Sequence, residues 1–409
     1  GLLADDLADA IVRAADEVLS GALPDQFPVD EMQGGAGTSA NMNTNEVLAN
    51  RAIELLGGEK GDYALVHPLD HVNLHQSTND VFPTAVRIAA IRLLKPVSER
   101  LAQLQTALQE KEEAFSYVLK VGRTQLQDAV PITLGQEFGA WAQAVARDRW
   151  RLYKAEERLR QVSIGGTAVG TGVNAPRAYV FGMIEKLRAL TGLGLARAEY
   201  MTDPTQNCDV FVEVSGLLKA AAVSLSKIAS DMRLLASGPR GGIGEITLPA
   251  VQAGSSIMPG KVNPVICEAV NQVAFQVMAN DLAVTLAAQS GQLELNAFLP
   301  LIARSLFEIL DMTERVLTLF IERCVRGIEA NRDVCRQNLE SGYTLAVALT
   351  GALGYDRASE VASECRRTGR TVKEVVLDKG LLDEKTLDLL LRPEKLTAPG
   401  AGKEERGWT

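Results

Sequence analysis

The chain has 409 residues, a net charge of −9, 46% hydrophobic and 23% charged residues, and only 5% aromatics. That length supports two or three packing units, and an acidic balance with no Lys/Arg run argues against nucleic acid as a partner. Abundant Ala, Leu and Val with few aromatics suits packed helices better than sheets.

From the start of the chain, Leu2–Leu19 reads as a helix. Gln33–Asn45 reads as a loop rich in Gly, Asn and Thr, with Asn45 as the start signal of a short helix, Glu46–Leu56. From about residue 77 to 330, apolar residues at three- and four-residue spacing predict long helices over Ala85–Leu108, Leu134–Val162, Val210–Leu235, Val265–Gln289 and Leu299–Ile328. Several are longer than usual and apolar on more than one face, which demands burial on several sides, in a bundle or against other subunits. Gly-rich connectors at Gly165–Gly172 and Gly238–Gly244 interrupt the run. Short helices then return at Thr344–Leu353, Tyr355–Thr368 and Val372–Asp378, and Pro393–Thr409 reads as a mobile tail. The expectation is an all-α chain with an N-terminal domain (1–76), a central helical domain (77–332) and a small helical C-terminal domain (333–409).

Five scattered cysteines (Cys208, Cys267, Cys324, Cys335, Cys365) without CxxC spacing suit reduced thiols in a cytoplasm rather than a disulfide frame or zinc site. No apolar stretch matches a membrane span or a secretory leader.

Four polar, Gly-containing segments interrupt the apolar background. Gln33-Gly-Gly-Ala-Gly-Thr-Ser-Ala-Asn-Met-Asn-Thr-Asn45 is either an anion cradle of backbone N–H groups and hydroxyls or a turn-rich connection ending in a helix cap. His67-Pro-Leu-Asp-His-Val-Asn-Leu-His-Gln-Ser-Thr-Asn-Asp80 holds all three histidines at four-residue intervals. Helical His spacing can make a metal site, but Pro68 and Asp70 fit only an opening turn and no acidic third ligand follows, so no metal is expected. Gln76–Asp80 puts donors at a helix N-terminus, where carboxylates bind, or serves as a plain cap. In Gly122-Arg-Thr-Gln-Leu-Gln-Asp-Ala-Val-Pro-Ile-Thr133, read as lying just ahead of a helix, Arg123 is either a carboxylate ligand or half of a structural ion pair. Gly254-Ser-Ser-Ile-Met-Pro-Gly-Lys-Val-Asn-Pro264 cannot be helical, and its hydroxyls, ammonium and amide between possible Gly hinges suit a lid.

This last run of eleven residues resembles the signature loop of the aspartase/fumarase superfamily, and the other three segments follow in the order and spacing that superfamily uses. The resemblance covers nearly the whole chain, less some tens of residues of the family's N-terminus. It implies a central five-helix bundle between small end domains, and a homotetramer whose active sites each collect loops from three subunits. It implies Ser255 as the general base that removes a proton beside a carboxylate. Lys261 and Asn263, with Thr38, Ser77, Thr78, Asn79, Thr124, Gln125 and Ser256, would bind a small dicarboxylate or amino-acid substrate. Glu268 would support the pocket from behind. No cofactor is implied. The charge of the resulting enediolate has to be met by preorganised donors.

Within the superfamily, fumarases resemble the third segment but carry His where Gln125 stands, paired with a carboxylate at the position of Glu268. Water transfer benefits from a titratable group; expulsion of ammonia needs less acid help, and Gln cannot titrate. Val251–Gly254, Thr124–Asp128 and Gln26–Asp30 also resemble the ammonia-lyase branch, while Gly260 is the fumarase-like choice. The resemblance thus implies elimination of ammonia from L-aspartate, with fumarate hydration or another fumarate-yielding lyase reaction of the superfamily, and last a non-catalytic crystallin-like role, as alternatives.

Overall fold

A computed structural model describes residues 2–398 of the chain. Helix α1 covers Asp5–Leu19, α2 Thr38–Leu55 and α3 Thr78–Ala114. A hairpin of β1 (Leu119–Thr124) and β2 (Gln127–Thr133) precedes α4 (Leu134–Leu159). The short strands β3 (Gln161–Val162) and β4 (Ala196–Arg197) pair in parallel around α5 (Arg177–Thr191). Then come α6 (Thr202–Gln206), α7 (Asp209–Leu235), β5 (Ile246–Thr247), α8 (Val265–Gln289) and α9 (Leu299–Arg323). Strand β6 (Glu329–Ala330) returns antiparallel to β5. The described chain ends in α10 (Arg332–Glu340), α11 (Thr350–Leu353), α12 (Tyr355–Thr368), α13 (Val372–Asp378), α14 (Glu384–Leu390) and α15 (Pro393–Leu396). The class is all-α, with five helices of at least 25 residues among the described residues.

The long helices follow the apolar periodicity closely, and α8 has the predicted bounds. Helix α9 stops at Arg323 rather than Ile328, because Cys324 leaves helical angles (φ −132°, ψ −76°) and a 3₁₀ turn follows. Helix α3 starts seven residues before Ala85. Its first turn is polar and therefore invisible to hydrophobic periodicity, and it is capped: the Asn79 amide donates to Ser77 Oγ at 3.2 Å and the Ser77 amide to Asp80 Oδ1 at 3.1 Å. Helix α2 begins at Thr38 instead of Glu46, which corrects the reading of 33–45 as a loop. Gly37, at φ +92°, ends the turn before it. Asn41 and Asn45, read as loop formers, are buried one turn apart, and both donate their amides to Asn73 Oδ1 at 3.4 and 3.0 Å. Satisfied this way, they stop competing with the helix. Gly122–Thr133 does lie just ahead of a helix, α4, and it forms most of the β1–β2 hairpin, which the sequence does not announce. Of the expected mobile tail, Pro393–Leu396 form a short helix, and 399–409 lie outside the described residues.

The chain divides into two compact units, and each of the five long helices contributes turns to both. In the first unit (1–99, 148–222, 273–314) α1 and α2 approach closely because their meeting faces are small: Ala10 and Ala14 against Ala49, Ala52 and Ile53, with Val66 beneath. Polar rungs tie long helices side by side there. Ser215 Oγ on α7 donates to Asp281 Oδ1 on α8 at 2.7 Å, and Asn280 Nδ2 on α8 donates to Glu308 Oε2 on α9 at 3.1 Å. In the second unit (100–147, 223–272, 315–409) Asn271 on α8 bonds Ser226 and Ser230 on α7. The C-terminal helices close over Val121, Leu339, Leu349, Val361, Val375 and Leu387, all buried. At about 1.5–3 kcal/mol per buried aliphatic side chain, this core anchors the hairpin to the C-terminal segment.

Candidate active site

The loop between β5 and α8 is built around its glycine and its serine. The Gly254 amide donates to the Lys261 carbonyl at 2.9 Å, and Asn263 Nδ2 donates to the Gly254 carbonyl at 2.8 Å, closing the loop at its neck. A Cβ on Gly254 would stand 2.3 Å from the Lys261 oxygen, so no other residue fits. Inside this neck Ser255 Oγ accepts the amides of Ile257 (3.2 Å) and Met258 (3.1 Å). An oxygen that already holds two N–H groups is stabilised as an alkoxide, the form a serine base requires. Ser255 and Asn263 are half-buried; Ser256 and Lys261 are exposed. Among the described residues the Lys261 ammonium has no acidic partner. Glu268, in the first turn of α8, lies 3.9 Å from Arg233, about 40% exposed.

Thr124 and Gln125 stand at the tip of the β1–β2 hairpin. Thr124 pairs with Gln127, leaving Gln125 and Leu126 as a two-residue turn, both with positive φ (55° and 61°). Hairpin twist favours such a turn, but it is normally made with Asn and Gly, and a left-handed non-Gly residue stores about 1–3 kcal/mol. The register slips between Val121 and Arg123. This bulge carries Arg123 onto Glu245, with both guanidinium N–H···O distances 2.9 Å. Glu245 is wholly buried and also meets Lys120 Nζ at 3.1 Å and Asn338 Nδ2 at 3.1 Å. Burial works to raise the Glu245 carboxyl, but the Arg123 hydrogen bonds and the Lys120 charge outweigh it and hold the group below the ordinary glutamate value. Glu137, which accepts from Lys120 at 2.7 Å, is pushed up by burial. Of the two readings open for Arg123, the structural ion pair is the one realised.

In the first unit Thr38 opens α2, exposed, its hydroxyl donating to the Gly35 carbonyl at 2.7 Å. Gly37 before it has no room for a side chain: a Cβ would reach the Phe82 ring at 2.6 Å. The first segment therefore packs directly on the start of α3, where Ser77, Thr78 and Asn79 stand half-buried, and Ala36 and Asn79 line one small recess. Asn79 Nδ2 donates to the Ala168 carbonyl at 2.7 Å. Asp80, fully buried, accepts from the amides of Gly165 (3.1 Å), Thr167 (2.9 Å) and Ser77. Burial raises its carboxyl above the ordinary aspartate value despite these donors. The expected site residues thus form two sets, Thr38, Ser77, Thr78 and Asn79 in the first unit and the remainder in the second.

Asp80 and Glu245, the two buried carboxylates that hold these segments, were not singled out in the sequence. Asp80 had a usable signal, an acid three residues after a capping serine; Glu245 had none, since its partner is 122 residues away. His67 and His71 serve a local turn, while His75 reaches a distant connection. His67 Nδ1 accepts the amides of Leu69 and Asp70, His71 Nδ1 accepts that of His67, and His75 Nδ1 lies 2.9 Å from the Asn174 carbonyl.

Comparison with known proteins bears on the family. A family model described as lyase matches residues 1–279, and one described as fumarase C C-terminus matches 345–398. The aspartate ammonia-lyase of Bacillus subtilis is 46% identical over 98% of this chain and 85% of its own length. The solved structure of a fumarate lyase:delta crystallin from Brucella melitensis, bound to cobalt, superimposes with a TM-score of 0.94 at 51% identity, over 97% of this chain and 86% of that one. A class II fumarase from Schistosoma mansoni gives 0.89 at 34% identity, over 98% and 87%. With its signature loop, its donor-bearing helix start and its near full-length likeness to these enzymes, the chain belongs to the aspartase/fumarase superfamily of lyases.

Proposed function

We propose that the chain is an aspartate ammonia-lyase, converting L-aspartate to fumarate and ammonia. The observation that carries this reading is Ser255 Oγ held by two backbone amides within the family's loop, in a chain nearly half identical to an enzyme of that name. Ser255 takes a proton from the carbon beside a carboxylate. The electron pair moves into that carboxylate as an enediolate, then returns to form the double bond as ammonia departs. Lys261, Ser256 and Asn263 supply charge and donors to the carboxylates, with Thr124 and Gln125 from the hairpin tip. Thr38, Ser77, Thr78 and Asn79 add hydroxyls and an amide at the positive end of the α3 dipole. Gln125 holds substrate without titrating, which suits an amine leaving group, and Glu268 supports the pocket.

The donors come from two units, and the reading includes a homotetramer in which three subunits build each site, with end domains 1–76 and 333–409 around the helical centre. Helix α8 supports it: Phe275, Leu282 and Leu286 lie along one face, each at least half exposed, an apolar stripe that a second helix would cover. No helix among the described residues is long and apolar enough to cross a membrane, and five buried thiols, none in a disulfide, suit a reducing cytoplasm. Incubation with L-aspartate tests the reaction: ammonium and fumarate should appear in equal amounts. Fumarate without ammonium, or neither, would refute it.

A further inference from the structure

The hairpin tip that carries Thr124 and Gln125 is poorly tied. Leu126 is 69% exposed, 124–128 are mostly open to solvent, and among the described residues no side chain from 124 to 128 makes a hydrogen bond. Yet the turn holds two non-glycine residues in left-handed conformations, a shape that persists only where its surroundings enforce it. The nearest side-chain anchor is Arg123, one residue before the tip pair, gripped by both oxygens of Glu245. Glu245 is tied through both its backbone and its carboxylate. Its amide donates to the Leu235 carbonyl and its carbonyl accepts from Asn331, both at 2.9 Å, while Lys120 and Asn338 fix its carboxylate.

We propose that Glu245 is a positioning residue: by clamping Arg123 it holds the turn at Gln125–Leu126 in the shape that presents Thr124 and Gln125 to the substrate. This rests on the ammonia-lyase reading above. A planar guanidinium held at two points fixes direction as well as distance. Orientation of binding groups is where small displacements cost rate.

The test compares Glu245→Gln, Arg123→Lys, Leu126→Gly and the Glu245→Gln/Leu126→Gly pair with the intact protein. Each is followed by kcat/KM for L-aspartate and by hydrogen exchange of the segment 119–133. Breaking the fork from either side should lower kcat/KM at least tenfold and speed exchange at the tip. Glycine adopts positive φ without strain, so Leu126→Gly alone should change kcat/KM less than twofold. In the double variant it should recover at least threefold of the loss, a rescue that general destabilisation would not give. Arg123→Lys, which keeps the charge and loses the fork, carries the test if Glu245→Gln does not fold. Intact kinetics and exchange in both fork variants, or a loss that Leu126→Gly does not recover, would overturn the proposal. Were the intact protein silent on L-aspartate, the ammonia-lyase reading would fail, and exchange at the tip would still decide whether Glu245 sets its shape.

Discussion

Replacing Asp80 tests how the start of α3 is held. Its carboxylate is wholly buried and receives three amides, two from the connection at 165–167 and one from Ser77. Asp80→Ala strands two fully buried N–H groups and one half-buried, each worth about 1–3 kcal/mol. Against that stands relief of the desolvation that raises the Asp80 carboxyl. We expect a net loss of about 2–4 kcal/mol for Ala. Asp80→Asn, whose remaining oxygen can face Gly165 and Thr167 while the Ser77 bond is lost, should cost about 1–2 kcal/mol. Urea unfolding at one fixed protein concentration, with unchanged m, reads the difference, because the proposed tetramer would make the midpoint concentration-dependent. An alanine variant within about 0.5 kcal/mol of the intact protein would mean that surroundings or water replace the carboxylate, and the account of this segment would fail.

Ser255→Ala should abolish turnover while sedimentation stays unchanged; residual activity above about a hundredth of the intact protein would remove Ser255 as the base. Lys261→Ala should act mainly through a much higher KM for L-aspartate, and an unchanged KM would take Lys261 out of the site. Because the folded state holds the Glu245 carboxyl below its unfolded value, the stability it contributes is complete above the ordinary glutamate pKa and is lost as pH falls through the lowered one. Acid-induced unfolding should therefore begin at higher pH in Arg123→Met than in the intact protein, and coincident acid profiles would refute the ion pair's part.

The sequence was most legible where pattern is local. Pro259, Pro264 and the two glycines rule out a helix across 254–264, and α8 begins at Val265 as its apolar spacing requires. The long helices show themselves through apolar periodicity, which reports burial regardless of partner. Polar starts are harder to see: Asn41 and Asn45 look like turn residues until Asn73, distant in sequence, satisfies them. The hairpin was hidden for a related reason. Gln125 and Leu126 lack the Asn-Gly chemistry that announces such a turn, and the clamp that holds Arg123 comes from a residue 122 positions away. Functional loops break local rules where the rest of the fold enforces them.

The measurement that bears most directly on the central claim is the ultraviolet absorbance of fumarate formed by the intact protein from L-aspartate and, in parallel, from L-malate. The account predicts a rise with aspartate and none with malate. A rise with malate alone would contradict it, and would mean that hydration chemistry proceeds on this site with Gln125 in place of a titratable histidine.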